Sequence, residues 1–171
     1  EGYYYSGLSS YYLKDYNAAY KSFQQLELSK KYGKIVPYYI ASVKFINKDY
    51  KGVVDYAEPK LKENISYQNE IHHLLGSSYY ELKDYDKALF YLEKYTQNAV
   101  KVTPEDYYAL GYVQAQKGKC DKAIANLVEL SPLQNALGQN AMFLLGQCYE
   151  KSGNKADART AFLQAARMSF D

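Results

Sequence analysis

The stretch Leu75-Gly76-Ser77-Ser78-Tyr79-Tyr80-Glu81-Leu82-Lys83-Asp84-Tyr85-Asp86-Lys87-Ala88-Leu89-Phe90-Tyr91-Leu92 sets the pattern for the whole chain. Its centre, Lys83-Asp84-Tyr85, occurs earlier as Lys14-Asp15-Tyr16 and as Lys48-Asp49-Tyr50. With Gly76 as register mark, the same slot holds Gly7, Ala41, Gly111 and Gly146, at intervals of 34, 35, 35 and 35 residues. Twelve residues after each mark stands a small or β-branched apolar residue: Ala19, Val53, Ala88, Ala123 and Ala158. Four further on stand Phe23, Ala57, Leu92, Leu127 and Phe162. Recurrence at a fixed period of this size marks a repeat architecture. The small residues fall where two antiparallel helices cross closely, and larger apolar neighbours fill the flanks. One such pair cannot bury its own apolar faces, so neighbouring pairs must stack.

The pattern predicts ten helices. The first of each pair, helix A, is expected at 2–13, 35–47, 69–82, 105–117 and 139–152. The second, helix B, is expected at 16–30, 50–63, 85–98, 120–131 and 155–168. Lys-Asp-Tyr marks the A-to-B turn of the first three pairs, with Asp able to cap the following helix. Gly118 and Gly153 take over that turn in the last two and supply a positive φ. Thr103-Pro104-Glu105-Asp106 is a helix start: a Thr cap, Pro in the first turn, then two acids at the positive end of the dipole. Pro59 falls inside the second helix B and is expected to kink or shorten it. Pro132 is expected to end the fourth helix B early, leaving Leu133 to Gly138 as a connector.

The spacing and the residues in it resemble the tetratricopeptide repeat, a helix–turn–helix unit of 34 residues. The fifth repeat matches best, with Leu145-Gly146, Tyr149, Gly153, Ala158 and Phe162 in the family's slots. The second matches least, with Ala41 for Gly and Lys44 for the usual Tyr. The resemblance implies an all-α fold, a right-handed superhelix of five helical hairpins. It forms a single array over 1–171, with repeats at approximately 1–33, 34–68, 69–103, 104–138 and 139–171.

Composition narrows the function. The net charge of +2 gives no sign of a nucleic-acid binder. No apolar run approaches the ~20 residues of a membrane span. The two cysteines, Cys120 and Cys148, lie far apart without CxxC spacing, so neither zinc nor a redox motif is indicated, and Cys148 reads as packing. His72 and His73 are adjacent, hence about 100° apart on a helix and unable to share a metal as an i,i+4 pair does. Glu70 adds at most a second ligand beside His73. With no nucleophile motif, phosphate loop or carboxylate dyad, the expectation is a non-enzyme without cofactor or metal. Asn64-Ile65-Ser66 matches a glycosylation sequon, which carries weight only in a secretory context.

Tyrosine is the compositional anomaly: 22 Tyr against 6 Phe and no Trp. In the family resembled, helix A lines a concave groove that holds extended peptides or helices, and its groove slots lie three before, one after and four after the mark. Those slots hold Tyr4, Tyr38, His73, Tyr108 and Phe143; then Leu8, Ser42, Ser77, Tyr112 and Gln147; then Tyr11, Phe45, Tyr80, Ala115 and Glu150. The first and last sets are two helical turns apart and share a face. The candidate partner-binding residues are therefore Tyr4, Tyr11, Tyr38, Phe45, His73, Tyr80, Tyr108, Tyr112 and Phe143. Tyrosine suits recognition because it offers stiff contact area with a hydrogen-bonding tip. Tyr16, Tyr50, Tyr79, Tyr85 and Tyr149 fall in packing slots and read as core with the hydroxyl at the rim, and the competing reading is that the groove rings too only stack on each other between repeats.

Family members that clamp acidic tails carry basic residues on this face. Here the face is aromatic, with Glu1, Glu70 and Glu105 along one edge. The expected partner is a protein or peptide segment that is apolar, Tyr/Pro-rich or cationic. The expectation is thus a non-catalytic interaction scaffold. Two alternatives stay open: a structural spacer within a longer array, and binding of a glycan or envelope component on the aromatic ladder. The chain starts in the first turn of a repeat, and Met168 and Phe170 stand beside an open helix-pair face, so a segment of a longer array is expected. Arg159, in a slot apolar in repeats 2 to 4, points instead to a cap. Either a cytoplasmic or an envelope location, the latter after removal of a signal, fits the sequence.

Overall fold

The structure, a computed structural model, describes residues 1–170. Ten α-helices and one 3₁₀ turn make up its regular structure, with no strand among the described residues. They are α1 (Gly2–Tyr12), α2 (Tyr16–Gln24), α3 (Val36–Ile46), α4 (Tyr50–Lys60), α5 (Gln68–Glu81), α6 (Tyr85–Asn98), α7 (Pro104–Gln116), α8 (Cys120–Leu127), α9 (Ala136–Lys151) and α10 (Lys155–Arg167). Odd-numbered helices are the A helices and even-numbered the B helices. The chain forms two compact units, Glu1–Asn98 with α1 to α6, and Ala99 onward with α7 to α10.

Every A-to-B turn closes the same way. In the third, the Lys83 N–H donates to Tyr80 C=O and the Asp84 N–H to Tyr79 C=O, the paired bonds of a Schellman motif. The first, second, fourth and fifth turns repeat both bonds. The left-handed residue of the motif is Lys14, Lys48 or Lys83 in the first three, with φ of 64°, 59° and 62°. It is Gly118 or Gly153 in the last two, with φ of 72° and 79°. The next residue then caps helix B: Asp15 accepts from the Ala18 N–H, Asp49 from Gly52, Asp84 from Lys87 and Asn154 from Asp157. Lys119 caps α8 without a side-chain bond.

The register slots meet where the two helices of a hairpin cross. A Cβ placed on Gly76 would lie 2.8 Å from Leu92, on Gly111 2.7 Å from Leu127, on Gly7 2.7 Å from Phe23, and on Gly146 2.7 Å from Phe162. Glycine is required at these close approaches because any side chain would push the helices apart. Phe23, Leu92 and Leu127 are wholly buried, as are Ala19, Val53, Ala88 and Ala123 beside them. In the first unit Ala19, Phe23, Leu26, Tyr32, Val36, Tyr39, Ile40 and Val43 form one core cluster. In the second, Leu127, Leu130, Met142 and Leu145 pack with Cys120 and Cys148, both free thiols. Burial, followed by the neighbouring Cys120, pushes the Cys148 thiol up to about 12, as befits a packing cysteine.

Three boundaries differ from expectation. Helix α2 ends at Gln24, after which Leu26, Glu27 and Ser29 make i→i−3 bonds that tighten the chain and drop Leu26 and Tyr32 into the core. Helix α9 begins at Ala136 because Asn135 caps it, its side chain accepting from the Gly138 N–H, so the expected connector is partly helical. Helix α8 gives way to a 3₁₀ turn at Val128–Leu130 ahead of Pro132. Pro59 lies inside α4, and the helix stops one residue later, at Lys60, in keeping with the expected shortening. Thr103 and Asp106 exchange hydrogen bonds as a full capping box on α7.

Candidate functional site

The candidate residues fall on the A helices and are described unit by unit. In the first, Tyr4 on α1 is half-buried and stacks on Tyr32 of the following connector, ring centroids 4.4 Å apart and 17° from parallel. Tyr11, two turns further along α1, meets Tyr39 of α3 edge-on at 5.5 Å. Tyr38 lies 5.1 Å from Tyr67, and Tyr67 also meets Tyr39, at 6.2 Å. Tyr11 and Tyr38 are thus joined through Tyr39 and Tyr67 into aromatic contacts that run from α1 to the start of α5, while Tyr4 and Tyr32 form a separate stack. Edge and offset geometries of this kind each contribute roughly 0.5–1.5 kcal/mol beyond area burial. Phe45, His73 and Tyr80 are half-buried too. Phe45 packs on Tyr50 at 5.5 Å and His73 on Tyr95 at 4.6 Å, each against the B helix of its own hairpin.

Tyr67 is a residue that the periodicity does not reveal. It precedes α5, holds a left-handed conformation with φ of 59°, and is 42% exposed. A bulky residue at positive φ is uncommon, and such strain gathers where a side chain must be aimed. Its ring is aimed onto Tyr38 and Tyr39. Tyr39 sits two before the mark, inside α3 but outside the groove slots, and Tyr32 lies in a connector without helical signal.

In the second unit Tyr108 and Tyr112 lie one turn apart on α7, with ring centroids 6.2 Å apart. Phe143 on α9 is 53% exposed, with Phe162 of α10 behind it at 5.7 Å. Burial raises the phenols of Tyr4, Tyr11, Tyr39 and Tyr108, with neighbouring tyrosines adding to it. They are neutral donors and acceptors at physiological pH. Glu70 in the first unit and Glu105 in the second are exposed. Each unit therefore offers aromatic faces, hydroxyl tips and an exposed carboxylate on its A helices.

The histidines are divided. His72 lies against Tyr91 at 5.9 Å, and burial, then Lys94, lowers its imidazole below the usual value. No group of three or more metal-ligating side chains occurs among the described residues. No helix among them is long and apolar enough to cross a membrane.

Helical hairpins of this period, with glycine at the crossing and a Schellman turn between the helices, define a helical-repeat protein. Residues 108–169 and 70–99 match the tetratricopeptide repeat family, and the chain belongs to that family. Among solved structures it is similar to MamA in the AMB-1 C2221 form, with a TM-score of 0.77, 17% identity, and 98% of this chain and 96% of that one covered. MamA in the MSR-1 C2 form gives a TM-score of 0.73 at 18% identity, covering 97% and 94%. YrrB, described as a tetratricopeptide repeat protein with an unusual peptide-binding site, gives 0.77 at 17% identity, covering 95% and 82%. At these identities the likeness is one of fold. No curated protein matches the sequence. Proteins of this family and fold are in general non-catalytic scaffolds for protein interaction.

Proposed function

We propose that the chain is a non-catalytic scaffold that holds a polypeptide segment against the aromatic face of its A helices. The residues proposed to touch the partner are Tyr4, Tyr11, Tyr38, Phe45, His73, Tyr80, Tyr108, Tyr112 and Phe143, with Tyr67 added to them. The observation that carries the reading is Tyr67, strained at positive φ, exposed, and set tilted against Tyr38 and edge-on to Tyr39. A ring that served packing alone would gain by being covered. The partner proposed is apolar, Tyr/Pro-rich or cationic: tyrosine faces suit extended proline-rich segments, and the exposed acids suit a positive one. YrrB's peptide-binding site lends the reading support by analogy of fold. A second reading, that these rings tie repeats together and no ligand follows, is favoured by the edge contact of Tyr11 in the first repeat with Tyr39 in the second.

The two readings part under mutation. Against a panel of capped peptides, proline/tyrosine-rich and lysine-rich, Tyr38→Ala, Tyr80→Ala and Tyr108→Ala are each expected to weaken binding by ~1–2 kcal/mol. Each is expected to cost less stability in urea than Leu92→Ala, a buried crossing residue whose truncation costs ~2–5 kcal/mol. If the tyrosine variants unfold the protein as Leu92→Ala does, the ladder is packing and the scaffold reading of this face is wrong.

A further inference from the structure

Helix α4 is 11 residues long and its counterpart α6 is 14. Just past Pro59, the end of α4 borders a cleft of about 710 Å³, walled by the start of α5 and the middle of α6. None of the groove slots lines it. It lies wholly in the first unit, on the side of the B helices, so it is a separate surface from the aromatic face.

The chemistry of its walls is specific. Lys62, Lys87 and Lys94 reach into it, against one carboxylate, Glu58. That carboxylate is already engaged: it accepts from the Tyr79 hydroxyl at 2.5 Å, from the Tyr91 hydroxyl at 2.9 Å and from Lys87 at 3.4 Å. Neither Lys62 nor Lys94 forms an ion pair with a carboxylate among the described residues. Lys94 instead rests over the ring of Phe90, 4.5 Å from its centroid. Phe90 is 51% exposed, a large apolar face held in place by Tyr91 beside it. The cleft thus pairs two unmatched ammonium groups with an open aromatic face. Its volume is that of a site for several side chains rather than for a small ion.

We propose that this cleft docks an acidic peptide segment, its carboxylates meeting Lys62 and Lys94 and an aromatic side chain among them lying on Phe90. Charge complementarity selects the occupant: a cationic segment meets uncompensated lysines here, and a neutral one leaves them unmatched. The aromatic groove selects the opposite charge, so the two surfaces of the first unit sort partners by sign.

The test uses the intact chain and the capped peptide acetyl-Glu-Glu-Phe-Glu-Glu-amide, followed by calorimetry and by amide chemical shifts at about 0.05 M and 0.15 M salt, where screening differs. Binding is expected to shift amides around residues 59–62 and 87–94 and to weaken with salt. The double variant Lys62→Glu/Lys94→Glu, two exposed side chains whose reversal leaves the core intact, is expected to weaken it about tenfold or more. Phe90→Ala is expected to weaken it about threefold or more, as loss of one aromatic contact does. Tyr38→Ala is expected to leave it unchanged, which separates this proposal from the groove reading. The proposal is overturned by any of four results: no binding at millimolar peptide, binding indifferent to the charge reversal, equal binding of the peptide with lysines in place of its glutamates, or equal occupancy by inorganic phosphate alone.

Discussion

At Lys14, Lys48 and Lys83 a residue with a Cβ holds the left-handed conformation that glycine holds at Gly118 and Gly153. The conformation costs a non-glycine residue roughly 1–2 kcal/mol. The Schellman bonds and the Asp cap that follow offset it, since neither forms without the turn. Lys48→Gly is therefore expected to be neutral or to stabilise by up to ~1 kcal/mol, strain relief outweighing the added entropy of the unfolded chain. Gly118→Ala is expected to destabilise by about 1–2 kcal/mol through backbone strain alone, because nothing lies within 4 Å of the added methyl. Urea midpoints check both, and opposite signs would mean that the turn is held differently. The crossing slots obey a similar economy of space. Where repeat 2 has Ala41 for glycine, its partner slot shrinks to Ala57, and both are wholly buried. Gly76→Ala is accordingly expected to cost ~1–3 kcal/mol against Leu92, whereas adding Gly76→Ala to Leu92→Ala should cost less than it does alone. Additive losses would mean that the two side chains do not share one volume.

Between elements, hydrogen bonds about one period apart join successive repeats. The Tyr56 hydroxyl on α4 donates to Glu27 at 2.7 Å, Tyr91 on α6 donates to Glu58 on α4, and in the second unit the Gln164 amide donates to Ser131 C=O at 3.0 Å. Glu58 is the busiest of these. Burial alone would raise its carboxyl, but the Tyr79 and Tyr91 hydroxyls and Lys87 outweigh burial and hold it below the usual carboxylate value. A carboxyl with a depressed folded value stabilises fully above its unfolded value, and the contribution is lost as pH falls through the folded one. Glu58→Gln is expected to lower stability at neutral pH and to flatten the fall in stability between about pH 5 and 3. An unchanged acid slope in urea titrations would mean that the carboxylate is not bonded in solution. This junction was hidden in the sequence, which marks Pro59 as a helix breaker but not the acid beside it as a hub. Helix ends were legible where a cap stands next to a breaker, as at Thr103-Pro104, and less so at Asn135, whose neighbours carry no apolar period.

Over the whole molecule, what periodicity carries is the hairpin, because each crossing demands a small residue on one helix and its filler on the other. What it does not carry is where the connectors return. Tyr32 and Tyr67 come from connectors, so the slots alone place Tyr4, Tyr11 and Tyr38 on one face without showing what joins them. The long Leu26–Ile35 passage holds Tyr32 in the core by tight turns, and such local geometry leaves no repeat signature. Contacts that are nearly all within a hairpin or to the next one make stability a sum of local terms. Leu92 lies wholly buried at the α5–α6 crossing. Leu92→Ala removes packing there worth ~2–5 kcal/mol, and that loss reaches other repeats only through their shared interfaces. Native-state amide hydrogen exchange of this variant is expected to show the largest loss of protection in α5 and α6, a smaller loss in α4, which packs on α5, and the least in α1 and α2. A uniform loss across α1 to α6 would instead mean that the first unit opens as one cooperative block, and that its aromatic contacts couple the repeats more strongly than nearest-neighbour stacking allows.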